Sequence, residues 1–130
     1  MSSTPETSAK LLIGLVGPCA AGKTTLQARL TQLGYESRHI AQEHSYVPYM
    51  WERITHPDVL IYLDVSYPVT IARRNLSWTI ADYQEQLHRL RHAREHADFV
   101  VHTDALSPDE VARVVVDFLR EKYGVIGRKA

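Results

Sequence analysis

A chain of 130 residues can bury the core of one domain and is too short for two of ordinary size. Fifteen basic residues balance fifteen acidic ones, so no net field steers the molecule toward a polyanion such as DNA or RNA. Residues 1–10 are polar without signal-peptide character, no apolar run nears the roughly 20 residues of a membrane span, and the single cysteine, Cys19, admits no internal disulfide, all of which fits a cytoplasmic, reducing setting.

Leu11 to Val16 reads as a short apolar strand, and Leu26, Leu30 and Leu33 then recur at helical spacing until Gly34. Tyr35 to Ala41 reads as a second strand, less apolar and therefore nearer a sheet edge. Glu43 to Pro57 is rich in aromatics and punctuated by proline, with helical character over Tyr49 to Ile54. Val59 to Leu63, followed by Asp64, is a continuous apolar run of the kind covered on both faces in a parallel sheet. Ser66 and Pro68 open a helix over Val69 to Leu76. A long helix from Ile80 to Glu95 follows, capped by Thr79 with Asp82 and stapled by Trp78 and Tyr83; its expected buried stripe is Ile80, Tyr83, Leu87, Leu90 and Ala97. Phe99 to Val101 supplies the last strand. Ser107 to Glu110 is a capping box that starts an amphipathic helix bearing Val111, Val114, Val115, Phe118 and Leu119, closed by Gly124.

Between the first strand and first helix lies Gly17-Pro18-Cys19-Ala20-Ala21-Gly22-Lys23-Thr24, which fits G-x-x-x-x-G-K-S/T. Glycines at both ends let successive backbone N–H groups converge on an anion, and the helix N-terminus adds partial positive charge. The pattern predicts a loop, Gly17 to Thr25, that wraps the phosphates of a nucleoside triphosphate, with Lys23 on the β- and γ-phosphates and the Thr24 hydroxyl on Mg²⁺. Cys19 fills a variable position of that loop. The expected fold class is α/β: a three-layer P-loop fold with a mostly parallel sheet of about four strands flanked by helices. It forms one domain over 11–123, with tails at 1–10 and 124–130.

With this loop, the segment Pro57 to Arg74, an apolar strand ending in Leu63-Asp64 before a helix that closes on Arg73-Arg74, resembles the nucleoside and nucleotide kinase group of P-loop proteins. The resemblance covers most of residues 11–122, and only the phosphate loop is a specific motif. It implies ATP as the bound nucleotide, Arg73 or Arg74 as the arginine over the transferring phosphate, and Asp104, Ala105 and Leu106 as the loop against adenine. The chain departs from the group by lacking a strand between its second and third, where those kinases carry a carboxylate. Glu43 and Asp64 are the two candidates to replace it, Asp64 also as a metal ligand.

Tyr46, Tyr49, Trp51 and Arg53 form the expected acceptor site, the aromatics stacking on a base or packing in the core and Arg53 gripping an acidic group. His88, His92 and His96 share a helical face at i, i+4 spacing but are interleaved with arginines and read as exposed non-ligands. Two functions follow. One is a kinase that transfers the γ-phosphate of ATP to a small acceptor; the other is an ATP-binding or slowly hydrolysing module that regulates a partner. The GTPase base-recognition pattern Asn-Lys-x-Asp is absent, which favours adenine.

Overall fold

The computed structural model describes residues 11–74 and 77–124. The sheet consists of β1 (Leu12–Val16), β2 (Glu36–His39), β3 (Val59–Asp64) and β4 (Phe99–His102), all parallel, in the order β2-β1-β3-β4. The helices are α1 (Lys23–Gln32), α2 (Met50–Thr55), α3 (Tyr67–Arg74), α4 (Ile80–Arg89), α5 (Arg91–His96) and α6 (Pro108–Tyr123), with a 3₁₀ turn at Gln42–His44. This is the expected α/β architecture of a parallel four-stranded sheet between helical layers.

Side chains alternate across the central strands, which is why β3 is apolar throughout. Ile13, Leu15, Val59, Ile61 and Leu63 face one layer, where α1 contributes Leu26 and Leu30 and α6 contributes Val111, Val115 and Leu119. Val16, Leu60 and Tyr62 face the other, against Trp51 of α2, Leu90, and Ala93 of α5. As expected from its weaker hydrophobicity, β2 is an edge strand, with Glu36, Arg38 and His39 exposed. Arg29 of α1 pairs with Asp109 of α6, linking the two helices of the first layer. Among the described residues, no helix is long and apolar enough to cross a membrane.

Local signals set the helix starts. Thr79 accepts from the Asp82 N–H while Asp82 accepts from the Thr79 N–H, and Ser107 and Glu110 do the same with Pro108 in the first turn of α6. The Trp78 and Tyr83 rings meet edge to face at 6.0 Å. Gly124 ends α6 in the left-handed region at φ 64°. Leu76, the expected end of α3, and the tails at 1–10 and 125–130 lie outside the described residues.

One long helix was expected from Ile80 to Glu95; the chain instead breaks it at Leu90, whose N–H is shared between the carbonyls of Gln86 (3.0 Å) and Leu87 (3.2 Å). The buried stripe differs accordingly. Ile80 is 54% exposed, Tyr83 and Leu87 are half-buried, and the buried positions are Gln86, Leu90 and Ala93. Helical periodicity carries the angle of a side chain about the axis. It does not carry the distance of that turn from the sheet, which is what exposes Ile80.

Leu119, fully buried on the inner face of α6, tests this packing. Leu119→Ala is expected to lower unfolding stability by about 2–5 kcal/mol in urea titrations.

Candidate active site

The chain leaves β1 for β2 on one side and later reaches β3 on the other, so the ends of β1 and β3 flank the switch point of the sheet, where parallel α/β folds present their ligand sites. The turn from β1 into α1 sits there. Gly17 has φ 153°, and a Cβ on it would lie 2.3 Å from the Leu63 carbonyl oxygen, so only glycine lets the loop cross β3 this closely. Ala20 (φ 70°) and Gly22 (φ 99°) also take positive φ, curling the loop before α1 begins. Gly22 is the N-cap of α1 and supplies no side-chain cap, which leaves the first-turn amides without a capping side chain.

Three side chains hold this loop. The Gln86 amide clips Cys19 from both sides: its Oε1 accepts from the Cys19 N–H at 3.0 Å and its Nε2 donates to Cys19 Sγ at 3.1 Å. Arg73 Nη1 donates to the Ala20 carbonyl and to Thr103 Oγ1, both at 3.1 Å, and its Nη2 donates to the Thr103 carbonyl. Thr103 is in turn fixed to the end of β3 by donating its hydroxyl to the Asp64 carbonyl at 2.9 Å. Lys23 folds back from α1, donating to the carbonyls of Gly17 and Pro18 (3.2 Å to the latter) and to Glu43 Oε2 at 3.0 Å.

Lys23 and Glu43 are 5% and 3% exposed, so their contact is a buried ion pair. Such a pair holds only while each charge has its partner and hydrogen bonds complete the shell. Glu43 Oε1 is buried with no hydrogen-bond partner among the described residues. The position of Glu43 is set by its neighbour Gln42, 1% exposed, which donates from Nε2 to the Val47 carbonyl (2.9 Å) and the Arg89 carbonyl (3.2 Å) and accepts at Oε1 from the Trp51 N–H (2.7 Å). Arg89 adds a donation to the Glu43 carbonyl at 3.3 Å.

These groups surround a cleft of about 640 Å³, within the range of small-molecule sites. Residues 19–25 of the loop and first turn line it together with His39, Glu43, His44, Arg73, Arg74, Thr103 and Leu106, and with Pro108 and Val111 from the start of α6. The sequence-derived set Lys23, Thr24, Thr25, Glu43, Arg73, Arg74 and Leu106 is therefore gathered around one space. Gly17 and Pro18 are buried beneath it.

Other expected site residues lie elsewhere. Asp64 pairs with His102 Nδ1 at 3.0 Å and lies 3.7 Å from Arg94, and it does not line the cleft. Burial, with the Asp64 carboxylate as the next cause, pushes the adjacent Tyr62 hydroxyl up to about 12. Asp104 accepts from the Ser66 N–H at 2.9 Å and braces the turn after β3. Trp51 is buried against α5, donating Nε1–H to His92 Nδ1 at 3.1 Å, and the Tyr49 ring meets His92 edge-on at 6.2 Å. Arg53 lies over the Tyr49 ring at 5.7 Å, and Arg89 covers Tyr46 at 4.3 Å. None of Tyr46, Tyr49, Trp51 and Arg53 lines the cleft. His92 is half-buried and stacks on His96 at 4.2 Å, so its place on the histidine face is structural; His88 and His96 are exposed as expected.

Gln86, Gln42 and Thr103 were not legible as site residues, because each acts through a partner distant in sequence, and His39 was not because only the fold brings its edge strand to the cleft. No protein-family model matches this chain, and no curated protein matches it.

Desolvation first, and then the positive charge of Lys23, hold the His39 imidazole below the ordinary 6.5, against an opposing pull from Glu43. The unfolded chain therefore protonates this residue before the folded one does. Its contribution to stability is complete above pH 6.5 and is lost as pH falls from there toward the folded value. His39→Gln is expected to lose less stability than the parent on acidification from about pH 7.5 to about 5.5, measured by thermal melts. Glu43→Leu, which strands a buried ammonium, is expected to cost about 3–5 kcal/mol, and the double variant Lys23→Met with Glu43→Leu to recover most of that in a double-mutant cycle.

Proposed function

We propose that the cleft binds ATP with Mg²⁺ and that the protein transfers the γ-phosphoryl group to the hydroxyl of a small-molecule acceptor. The observation that carries this reading is a buried lysine at the base of a cleft rimmed by the uncapped first turn of α1. Those amides and the Lys23 ammonium suit a polyphosphate, and Leu106, Pro108 and Val111 offer an apolar wall for the base. Thr24, exposed in the cleft, is the hydroxyl that would hold Mg²⁺, a hard cation that would supply charge neutralisation for the phosphates. Asp64, already engaged with His102 and Arg94, is left out of this scheme.

In this scheme triphosphate draws Lys23 away from Glu43. The Glu43 carboxylate, which lines the cleft, is then free of the lysine and able to accept a hydrogen bond from the acceptor hydroxyl. The acceptor oxygen attacks the γ-phosphorus, the bond to the bridging oxygen of ADP breaks, and the acceptor proton passes to Glu43. Arg73, anchored on the loop and on Thr103, and Arg74, which also lines the cleft, stabilise the negative charge of the moving phosphoryl group.

One observation favours a second reading, an ATP-binding module that regulates a partner without an acceptor substrate. The segment carrying Tyr46, Tyr49, Trp51 and Arg53 packs on itself and on the α4–α5 layer instead of lining the cleft. Calorimetry with MgATP and ADP release with a panel of hydroxyl acceptors separate the two. Saturable binding with strong stimulation by one acceptor is the kinase outcome, binding without stimulation is the module, and no heat with any purine triphosphate ends both. On the kinase reading, Lys23→Ala loses nucleotide affinity and Arg73→Ala lowers kcat by about 10²–10³-fold.

A further inference from the structure

Cys19, Glu43 and His44 come from two segments 24 residues apart and converge on the cleft. The Cys19 sulfur, a carboxylate oxygen of Glu43 and a ring nitrogen of His44 all lie within 4.8 Å of one another. We propose that these three side chains form a binding site for a borderline-soft divalent cation of the zinc class, with a fourth position open to the cleft. The inference stands on this cluster and does not depend on nucleotide binding.

The donor set selects the class of ion. Sulfur and imidazole nitrogen favour zinc-like ions over Mg²⁺ or Ca²⁺, and three protein ligands with one open position is the usual arrangement of an accessible zinc centre. Two further features support it. Glu43 spends Oε2 on Lys23 while Oε1 is buried with no partner among the described residues, so the carboxylate has unused acceptor capacity. Gln86 holds Cys19 through both its backbone N–H and its sulfur, orienting the sulfur as outer-shell groups do around bound metals. His44 is exposed and its Nε2 lies 3.7 Å from Glu43 Oε2, which keeps its ring nitrogen beside the carboxylate. The neighbouring Lys23 ammonium opposes a second cation, so an ion at this site competes with the lysine for Glu43.

Co²⁺ is the probe, added to the reduced 130-residue chain without nucleotide. Because Cys19 is the only cysteine, a thiolate-to-cobalt charge-transfer band in the near ultraviolet reports this site alone, whereas the histidines of α4 and α5 give no such band. The expected result is a saturable band that Zn²⁺ removes and Mg²⁺ does not. Gln86→Leu is expected to weaken binding by about 10–100-fold. Glu43→Gln and His44→Ala should each weaken it, with circular dichroism confirming that the variants fold; His44→Ala, at an exposed position, is the variant least able to perturb the fold. Absence of the band overturns the proposal. So does a band of unchanged affinity in folded His44→Ala, since the cysteine then binds without this set. MgATP calorimetry on the same material reports separately on the nucleotide site.

Discussion

A buried contact between Lys23 and Glu43 joins the two halves of the cleft. One charge comes from the first turn of α1 and the other from the 3₁₀ turn after β2, and each would be costly to bury alone. Their pairing therefore couples the shape of the β1–α1 loop to the path of the chain between β2 and β3. Lys23 also donates to two carbonyls of the loop, so one ammonium group gathers the loop, the helix and the following segment into one arrangement.

The rest of the site is arranged to hold that loop still. Gly17 and Gly22 take positive φ freely, but Ala20 at φ 70° adopts a conformation that backbone preference opposes. Gln86 from the α4 layer and Arg73 from α3 offset this by hydrogen bonds to Cys19 and Ala20, and Thr103 carries the Arg73 anchor to the ends of β3 and β4. Rigidity of this kind suits a site whose chemistry is positioning and charge stabilisation, because donors fixed beforehand do not have to reorganise as charge moves. The same clip on Cys19 gives the sulfur a defined direction toward Glu43 and His44.

The connection between β2 and β3 carries a 3₁₀ turn and one short helix, α2. With no further strand, the segment from Gln42 to Trp51 is organised by one buried glutamine that satisfies two carbonyls and one N–H. Trp51 then completes the second core with Val16, Leu60, Leu90 and Ala93, and its ring nitrogen finds His92, while Tyr46 and Tyr49 stay exposed. Glu43 and His44 are what this segment delivers to the cleft.

Much of the fold was legible in the sequence because it rests on local signals. Apolar runs marked β1, β3 and β4, the Thr79 and Ser107 boxes marked α4 and α6, and the weak β2 was recognised as an edge. The loop between Gly17 and Thr24 was legible because its glycines, lysine and threonine fall within eight successive residues. The break at Leu90, the exposure of Ile80, the inward turn of Gln86 and the separation of Asp64 from the cleft were not, since each depends on what lies across the sheet or on a neighbouring layer. Sequence alone thus determined the α/β order, the helix caps and the residues of the loop, all of them properties of near neighbours along the chain. Only tertiary structure decided between Glu43 and Asp64 as the carboxylate beside Lys23, because that choice is a matter of distance between segments 20 and 41 residues away from the lysine, and burial of the ammonium selects the partner that reaches it.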